Sequence, residues 1–391
     1  AQTFVKTAHF EQNSVPAPGI YTSASSDFWL WDFLFAGDGP KSFPFRTAGV
    51  SGAGTATLSV HLKGGSNTSA PVDHHVVVRV NGNEVAQVTF DGLDEKTISV
   101  DVDGSTLVDG DNEVELEALL DPGVDYSFVY LDAIDVAYQS RYRADANRAT
   151  VNTAANSSVL IDGFTRSDIV VLDVTDASAP VRVNGTVVSR GAGFAVALAP
   201  RRQNTVYAAA AGDAFASAAW IEADVTSNLK AASNRADYLI VAPSSLTAAA
   251  QALADHRSDL RTQVVDIEDI YDEFSYGISD PGALRAFLKY ASTQWRTRPR
   301  YVVLAGDGTW DYKDALGMGN PMPPMMVETP DGLFPSDNWY ADFNGNGPEV
   351  ALGRLPAANA TELTAMIDKI KAREAATGSA WLKDALMVAD N

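Results

Sequence analysis

Tyr238-Leu239-Ile240-Val241-Ala242 is an unbroken run of five apolar residues. A strand with one wet face would turn polar at every second position, so an unbroken run predicts a parallel sheet covered on both faces. Helix and strand signals alternate after it. Leu246 to Arg257 reads as a helix and Gln263-Val264-Val265-Asp266 as the next strand. Asp280-Pro281 opens a strong helix, because Asp can cap free amides and Pro is tolerated at the first helical position. Leu284, Phe287, Leu288, Ala291 and Trp295 fall on one stripe of that helix. Tyr301-Val302-Val303-Leu304-Ala305 is a third strand and Val350-Ala351-Leu352-Gly353 a fourth. Asn359-Ala360-Thr361-Glu362 is a capping box for a helix carrying Leu363, Met366, Ile367 and Ile370. Ala385-Leu386-Met387-Val388-Ala389 reads as a fifth strand with no helix after it, the pattern of a fold cut in the middle. This alternation predicts a doubly wound parallel α/β domain over residues 236–391.

Upstream the period is different. Residues 1–139 read as an all-β, jelly-roll-like sandwich. His75 to Val85 is a strand, an Asn81-Gly82 turn and a return strand, since both central residues of a type I′ turn need positive φ. Thr97 to Val102 and Glu113 to Glu117 alternate with period two, and Asp109-Gly110-Asp111-Asn112 reads as the turn before the second of these. Phe128 to Tyr138 closes the set. Residues 140–235 read as a smaller Ig-like sandwich. Its signals are Asp168 to Thr175, a second apparent hairpin around Asn184-Gly185, then Phe194 to Leu198 and Thr205 to Ala209. Ala231 to Arg235 is expected as the linker out.

Composition narrows the function. The chain has 391 residues, 46% hydrophobic and 20% charged, which is a globular balance over two or three domains. A net charge of −21 disfavours nucleic acid and anionic membranes as partners. No apolar run approaches the roughly 18 residues of a spanning helix. There is no cysteine, so disulfides, thiolate metal sites and thiol chemistry are all excluded within this chain.

Several linked motifs together carry a family resemblance. They are Asp237 to Ala242; Asp269-Ile270-Tyr271-Asp272-Glu273-Phe274-Ser275-Tyr276-Gly277-Ile278 with Asp280-Pro281; Tyr301 to Asp307; and Ser336-Asp337 through Glu349 to Pro356. In that order they resemble the front half of the gingipain-type cysteine peptidases. The resemblance implies two caspase-like α/β halves, with the His–Cys pair in the second half. The tail Trp381 to Asn391 resembles the opening of that second half, so no catalytic residue transfers to this numbering. It implies a secreted or surface bacterial endopeptidase, with protein or peptide substrates and the remaining catalytic half as partner. The phrases around Val80-Asn81-Gly82, Asp109 to Glu117 and Tyr130 to Tyr138 look like jelly-roll domains of bacterial carbohydrate-binding and surface proteins. That supports an alternative reading, a glycan- or surface-binding adhesion module with a pseudo-enzyme α/β domain.

Individual sites add less. Asp342-Phe343-Asn344-Gly345-Asn346-Gly347 places oxygen ligands at alternate positions before a glycine, as in the opening half of an EF-hand loop. Its twelfth position is Gly353, so a calcium ion at Asp342, Asn344 and Asn346 would need Asp337, Glu349 or carbonyls to complete the shell. The competing account is a tight turn rich in Asn and Gly. No organic cofactor is expected, since Gly306-Asp307-Gly308 lacks a third glycine and a Gly-Lys-Ser/Thr. Asp307 reads as a structural carboxylate holding the following loop. His74-His75 point to opposite faces of a strand and do not form a shared metal site, and His256 reads as part of a solvated helix face. Phe28-Trp29-Leu30-Trp31-Asp32-Phe33 reads as core, with sugar stacking as the competing use.

Overall fold

The computed structural model describes residues 2–219, 221, 223–312, 314–376 and 384–387. The chain divides into two compact units, one of residues 1–20 with 27–222 and one of residues 21–26 with 223–391. Each is taken by itself.

The first unit is all β and contains both predicted sandwiches. In the jelly-roll part, strands Thr3–Glu11, Phe128–Arg141, Thr55–Gly64 and Glu95–Asp103 pair in that order, and Asp32–Phe35 joins the start of Phe128–Arg141. The opposing sheet runs Lys41–Thr47, Gly110–Leu119, His74–Val80, Asn83–Phe90. All of these pairs are antiparallel. Alternate residues face inward: Val76, Val78 and Val80 of one strand meet Leu58, Val60 and Leu62 from the other sheet in one apolar core. Phe28, Trp29, Leu30 and Trp31 are buried, so that part of the aromatic run is core, as its density predicts, while Phe33 at its end is exposed. The strand expected to begin after a turn at residues 109–112 already begins at Gly110, because its pairing with Thr47 extends through that turn.

The second sandwich differs from its expectation at one point. Val181–Val183 pairs with Val170–Asp173 in one sheet, whereas Thr186–Arg190 pairs with Gly193–Leu198 in the other. Asn184-Gly185 therefore passes the chain between sheets and closes no hairpin. Neither residue has positive φ.

In the second unit, strands Thr262–Asp266, Tyr238–Ala242, Tyr301–Ala305 and Ala351–Leu355 form a wholly parallel sheet in that order. Helices α1 (Ser244–His256) and α5 (Ala360–Ala375) cover one face, while α2 (Ile267–Ser275) and α3 (Pro281–Gln294) cover the other, with the one-turn α4 (Asn338–Ala341) packed against α3. Ile240 and Ala242 pack towards α1 and α5; Leu239 and Val241 pack towards α2 and α3. That division explains the unbroken apolar run. Asp280 caps α3 by accepting from Gly282 N at 2.7 Å. Asn359 Oδ1 accepts from Glu362 N at 3.0 Å, and Glu362 returns a bond to Ala358 N at 2.9 Å, one residue earlier than a standard capping box. His256 is exposed, as expected of a solvated helix face, and with Arg257 it clasps Glu374, joining α1 to α5. The Arg257 guanidinium, with His256 beside it, pulls the Glu374 carboxyl down to about 2.

Two expectations fail in this unit. Ala231–Arg235 is not a free linker, because the chain just ahead of it is strapped to α2 and α3. Glu273 accepts from Ser227 Oγ, Leu229 N and Lys230 N, and Trp295 Nε1 donates to Leu229 O at 2.8 Å. Within the predicted fifth strand, Ala385, Leu386 and Met387 form no strand, and both Leu386 and Met387 are exposed. Val388 and Ala389 lie outside the described residues, as does most of the Trp381–Asn391 tail.

Candidate functional site at the carboxyl edge of the parallel sheet

Open α/β sheets bind ligands beyond the carboxyl ends of their strands, at the point where strand order reverses. Here that point lies between Tyr238–Ala242 and Tyr301–Ala305. On one side Ser244 Oγ donates to Asp266 Oδ2 at 2.6 Å, while Asp266 Oδ1 caps α2 through Glu268 N. On the other side the chain leaves the sheet through Gly306-Asp307-Gly308. A Cβ on Gly306 would sit 2.9 Å from Met322 Cβ, and one on Gly308 only 2.0 Å from Met322 O. These glycines let the returning segment cross the strand ends. They form no phosphate cradle, since neither has positive φ and no helix starts there.

Arg354, near the end of the edge strand, organises this surface. Its Nε and Nη2 donate to the two oxygens of Asp337, both at 2.7 Å. Its Nη1 donates to Gly306 O at 3.0 Å and Met322 O at 2.6 Å. A planar fork that meets a carboxylate bidentately fixes both partners in orientation as well as distance. With Thr309, Trp310, Pro324 and Pro335, this pair lines a cavity of about 300 Å³. Two phenols, Tyr340 buried and Tyr312 half-buried, brace the loops around it. Tyr340 Oη donates to Pro323 O at 2.5 Å, and burial holds its pKa well above the ordinary tyrosine value. Tyr312 Oη accepts from Met326 N, and burial pushes its pKa up to about 12.

Asp307 contributes less than expected. It is exposed, and among the described residues its carboxylate accepts only from the adjacent Gly308 N, at 2.9 Å. The loop is held instead by Asp311, which is buried and accepts from Ala315 N and Leu316 N, and by Asn320, which bonds to Thr309 N, Thr309 O and Asp311 O. Sequence reading missed both. Their signal, Asp and Asn spaced among Gly and Pro, is the same one every turn-rich loop gives.

The structure brings together part of the predicted calcium set. Asp342 accepts from Gly345 N at 2.6 Å and Gly347 N at 3.1 Å. Glu349 accepts from Phe343 N at 2.7 Å and Asn344 Nδ2 at 2.5 Å. Asn346 is exposed, and Asp337 is held by Arg354, as described above. Arg285 of α3 donates to Asp342 O at 2.6 Å, so a cation already grips this loop. Among the described residues no group of three or more His, Asp or Glu side chains is placed to hold a metal ion. His74 is spent on Ser127 Oγ and Gly92 O, and His75 on Asp121 and Gln87, which separates the two rings as expected.

Comparison with known proteins fits this geometry. Residues 231–391 match Peptidase family C25. The gingipain-type resemblance therefore holds for the α/β unit. Dimeric latent PorU from Porphyromonas gingivalis superposes with a TM-score of 0.69 at 18% identity over 94% of this chain. The likeness is one of fold. The chain spans 38% of the PorU chain. The CBM36-1 domain of a xylanase from the hindgut metagenome of Trinervitermes trinervoides aligns with 34% of this chain and 96% of its own, at 14% identity and a TM-score of 0.24. That score is too low to carry an argument. No curated protein matches the chain. Among the described residues no helix is long and apolar enough to cross a membrane.

Proposed function

We propose that these residues are the leading part of a secreted or cell-surface bacterial cysteine endopeptidase of the gingipain type, with the His–Cys pair lying outside them. One observation carries the proposal: a cysteine-peptidase family match in a chain with no cysteine at all. Such enzymes attack the peptide carbonyl with a thiolate whose proton a histidine manages, and backbone amides receive the oxyanion. Without a thiol this chain supplies none of the attack. Its part is to buttress: the Arg354–Asp337 fork and the Gly306–Gly308 crossing hold the carboxyl edge of the sheet in one arrangement, beside which the second catalytic half would pack.

The test compares this chain with one extended by the coding sequence that follows it. The extended protein is expected to cleave peptide substrates and to be silenced by a thiol alkylator, while residues 1–391 alone release nothing. Alkylation-insensitive cleavage by residues 1–391 overturns the reading. Calcium at Asp342, Asn344, Asn346 and Glu349 belongs to the same proposal. Added calcium should slow amide exchange at 342–349 where magnesium does not; equal rates with calcium and with a chelator would remove it. A glycan partner for the jelly-roll part would have to use exposed rings such as Phe33 and Phe35, since Trp29 and Trp31 are buried. Binding on a glycan array that is lost in Phe33→Ala supports that reading.

A further inference from the structure

A second cavity lies away from the α/β unit, inside the β unit. It is about 590 Å³, within the range of small-molecule sites, and lies between the first strand, Thr3–Glu11, and the second sandwich. Its charge runs against the rest of the molecule. In a chain of net charge −21, five lining residues are cationic (Lys6, Arg46, Arg141, Arg143 and Arg148) and one, Asp145, is acidic. Arg46 is matched by Asp111 and Asp145. Among the described residues Arg141 and Arg148 reach only backbone carbonyls, of Val50, Ser51 and Ala214. Lys6 and Arg143 make no side-chain hydrogen bond or ion pair among the described residues. Lys6 is half-buried, and that burial lowers its pKa although Asp145 and Asp109 act on it from further away. A lysine drawn out of water without a close counter-ion leaves charge for a ligand to neutralise. Apart from Ser140, Thr150 and the Tyr138 hydroxyl, the rest of the wall is apolar, with Phe10, Val170, Leu172 and Phe215 among its members. Phe215 stands partly exposed at 45%.

We propose that this cavity binds a small amphipathic carboxylate, with its anionic head on Lys6 and Arg143 and its aliphatic tail along Phe10, Val170 and Leu172. Head and tail chemistry both follow from the lining: cations short of a counter-ion select the head, and the apolar wall takes a chain that a free inorganic anion lacks. The site uses no residue of the α/β unit, so it stands whether or not the peptidase reading does.

Calorimetric titration of residues 1–391 with three probes tests it. Decanoate should saturate a single site, acetate (head without tail) should not bind measurably, and decyltrimethylammonium (tail with the opposite charge) should not bind. Lys6→Gln and Arg143→Gln should each weaken decanoate by about tenfold, the usual worth of one charge-assisted contact. Unchanged thermal melting of the two variants would show that the fold is intact, and Arg143→Gln, an exposed position, guards against a folding defect in Lys6→Gln. Equal binding of decanoate and the decyl cation overturns the proposal, as does unchanged affinity in both variants or no decanoate binding at all.

Discussion

Two Asn-Gly pairs sit between strands in the β unit, and the chain uses them in opposite ways. At Asn81-Gly82 both residues have positive φ, 48° and 80°, and a Cβ on Gly82 would meet nothing within 4 Å. Backbone angle requires that glycine, as a two-residue hairpin demands. At Asn184-Gly185 the angles are ordinary, and a Cβ on Gly185 would lie 2.4 Å from Val196 Cγ2 and 2.8 Å from Leu198 Cδ2. There the requirement is closeness: the chain passes hard against a neighbouring strand on its way from one sheet to the other. Gly306 and Gly308 at the edge of the parallel sheet are of this second kind. A glycine in a sequence thus announces that a side chain is unwelcome, without saying whether angle or space is the reason.

Substitutions separate the two. The largest effect is expected from Asn81→Ala. Asn81 Nδ2 donates to Thr106 O and Asn112 Oδ1, and its Oδ1 accepts from Glu113 N at 3.0 Å. Losing those bonds and placing alanine at positive φ should cost about 3 kcal/mol, a roughly hundredfold faster amide exchange in the peptides spanning 74–90. Unchanged exchange there would mean that the hairpin does not depend on its corner. Gly185→Ala comes next, at about 2 kcal/mol, because Val196 and Leu198 must be pushed from a packed core. Its effect should appear in peptides covering 181–198 and leave 74–90 untouched. If both regions respond together, the two sandwiches unfold as one cooperative piece.

The same distinction explains what could be read in advance. Tyr238 to Ala242, the Asp280 cap and the Asn359–Glu362 box were legible because period and capping are local, and each depends only on residues within a turn or a strand of it. The jelly-roll strands were legible for the same reason. The Asn184-Gly185 hairpin was misread because strand pairing is non-local: nothing within residues 181–190 reveals that Val183 and Thr186 join different sheets. Of the candidate site, the sheet edge could be placed from sequence, while Asp337 was singled out only as a ligand to complete a calcium shell. The partner of Asp337 could not be placed, since Arg354 lies 17 residues away and reaches it only once the fourth strand is laid beside the third. Asp311 and Asn320 were missed because their role is to satisfy one particular loop's amides, and no spacing rule encodes that. α2 was passed over because Ile267 to Ser275 is short and acidic; Asp266, its cap, had been assigned only to the strand before it.

The smallest effects sharpen the comparison most. Gly82→Ala should cost about 1 kcal/mol, the ordinary penalty for a side chain at positive φ in open space. It should be smaller than Gly185→Ala even though the turn glycine is the one a sequence rule would protect. Asn184→Ala should change stability by no more than about 0.5 kcal/mol, because Asn184 is exposed and its side chain makes no hydrogen bond among the described residues. The two asparagines then differ by several-fold in cost while sharing the same following residue, and exchange rates in 74–90 and 181–198 measured side by side read that difference directly. A cost at Asn184 approaching that at Asn81 would mean that its side chain caps the crossover in solution, and the 184–185 segment would have to be reassigned as a true turn.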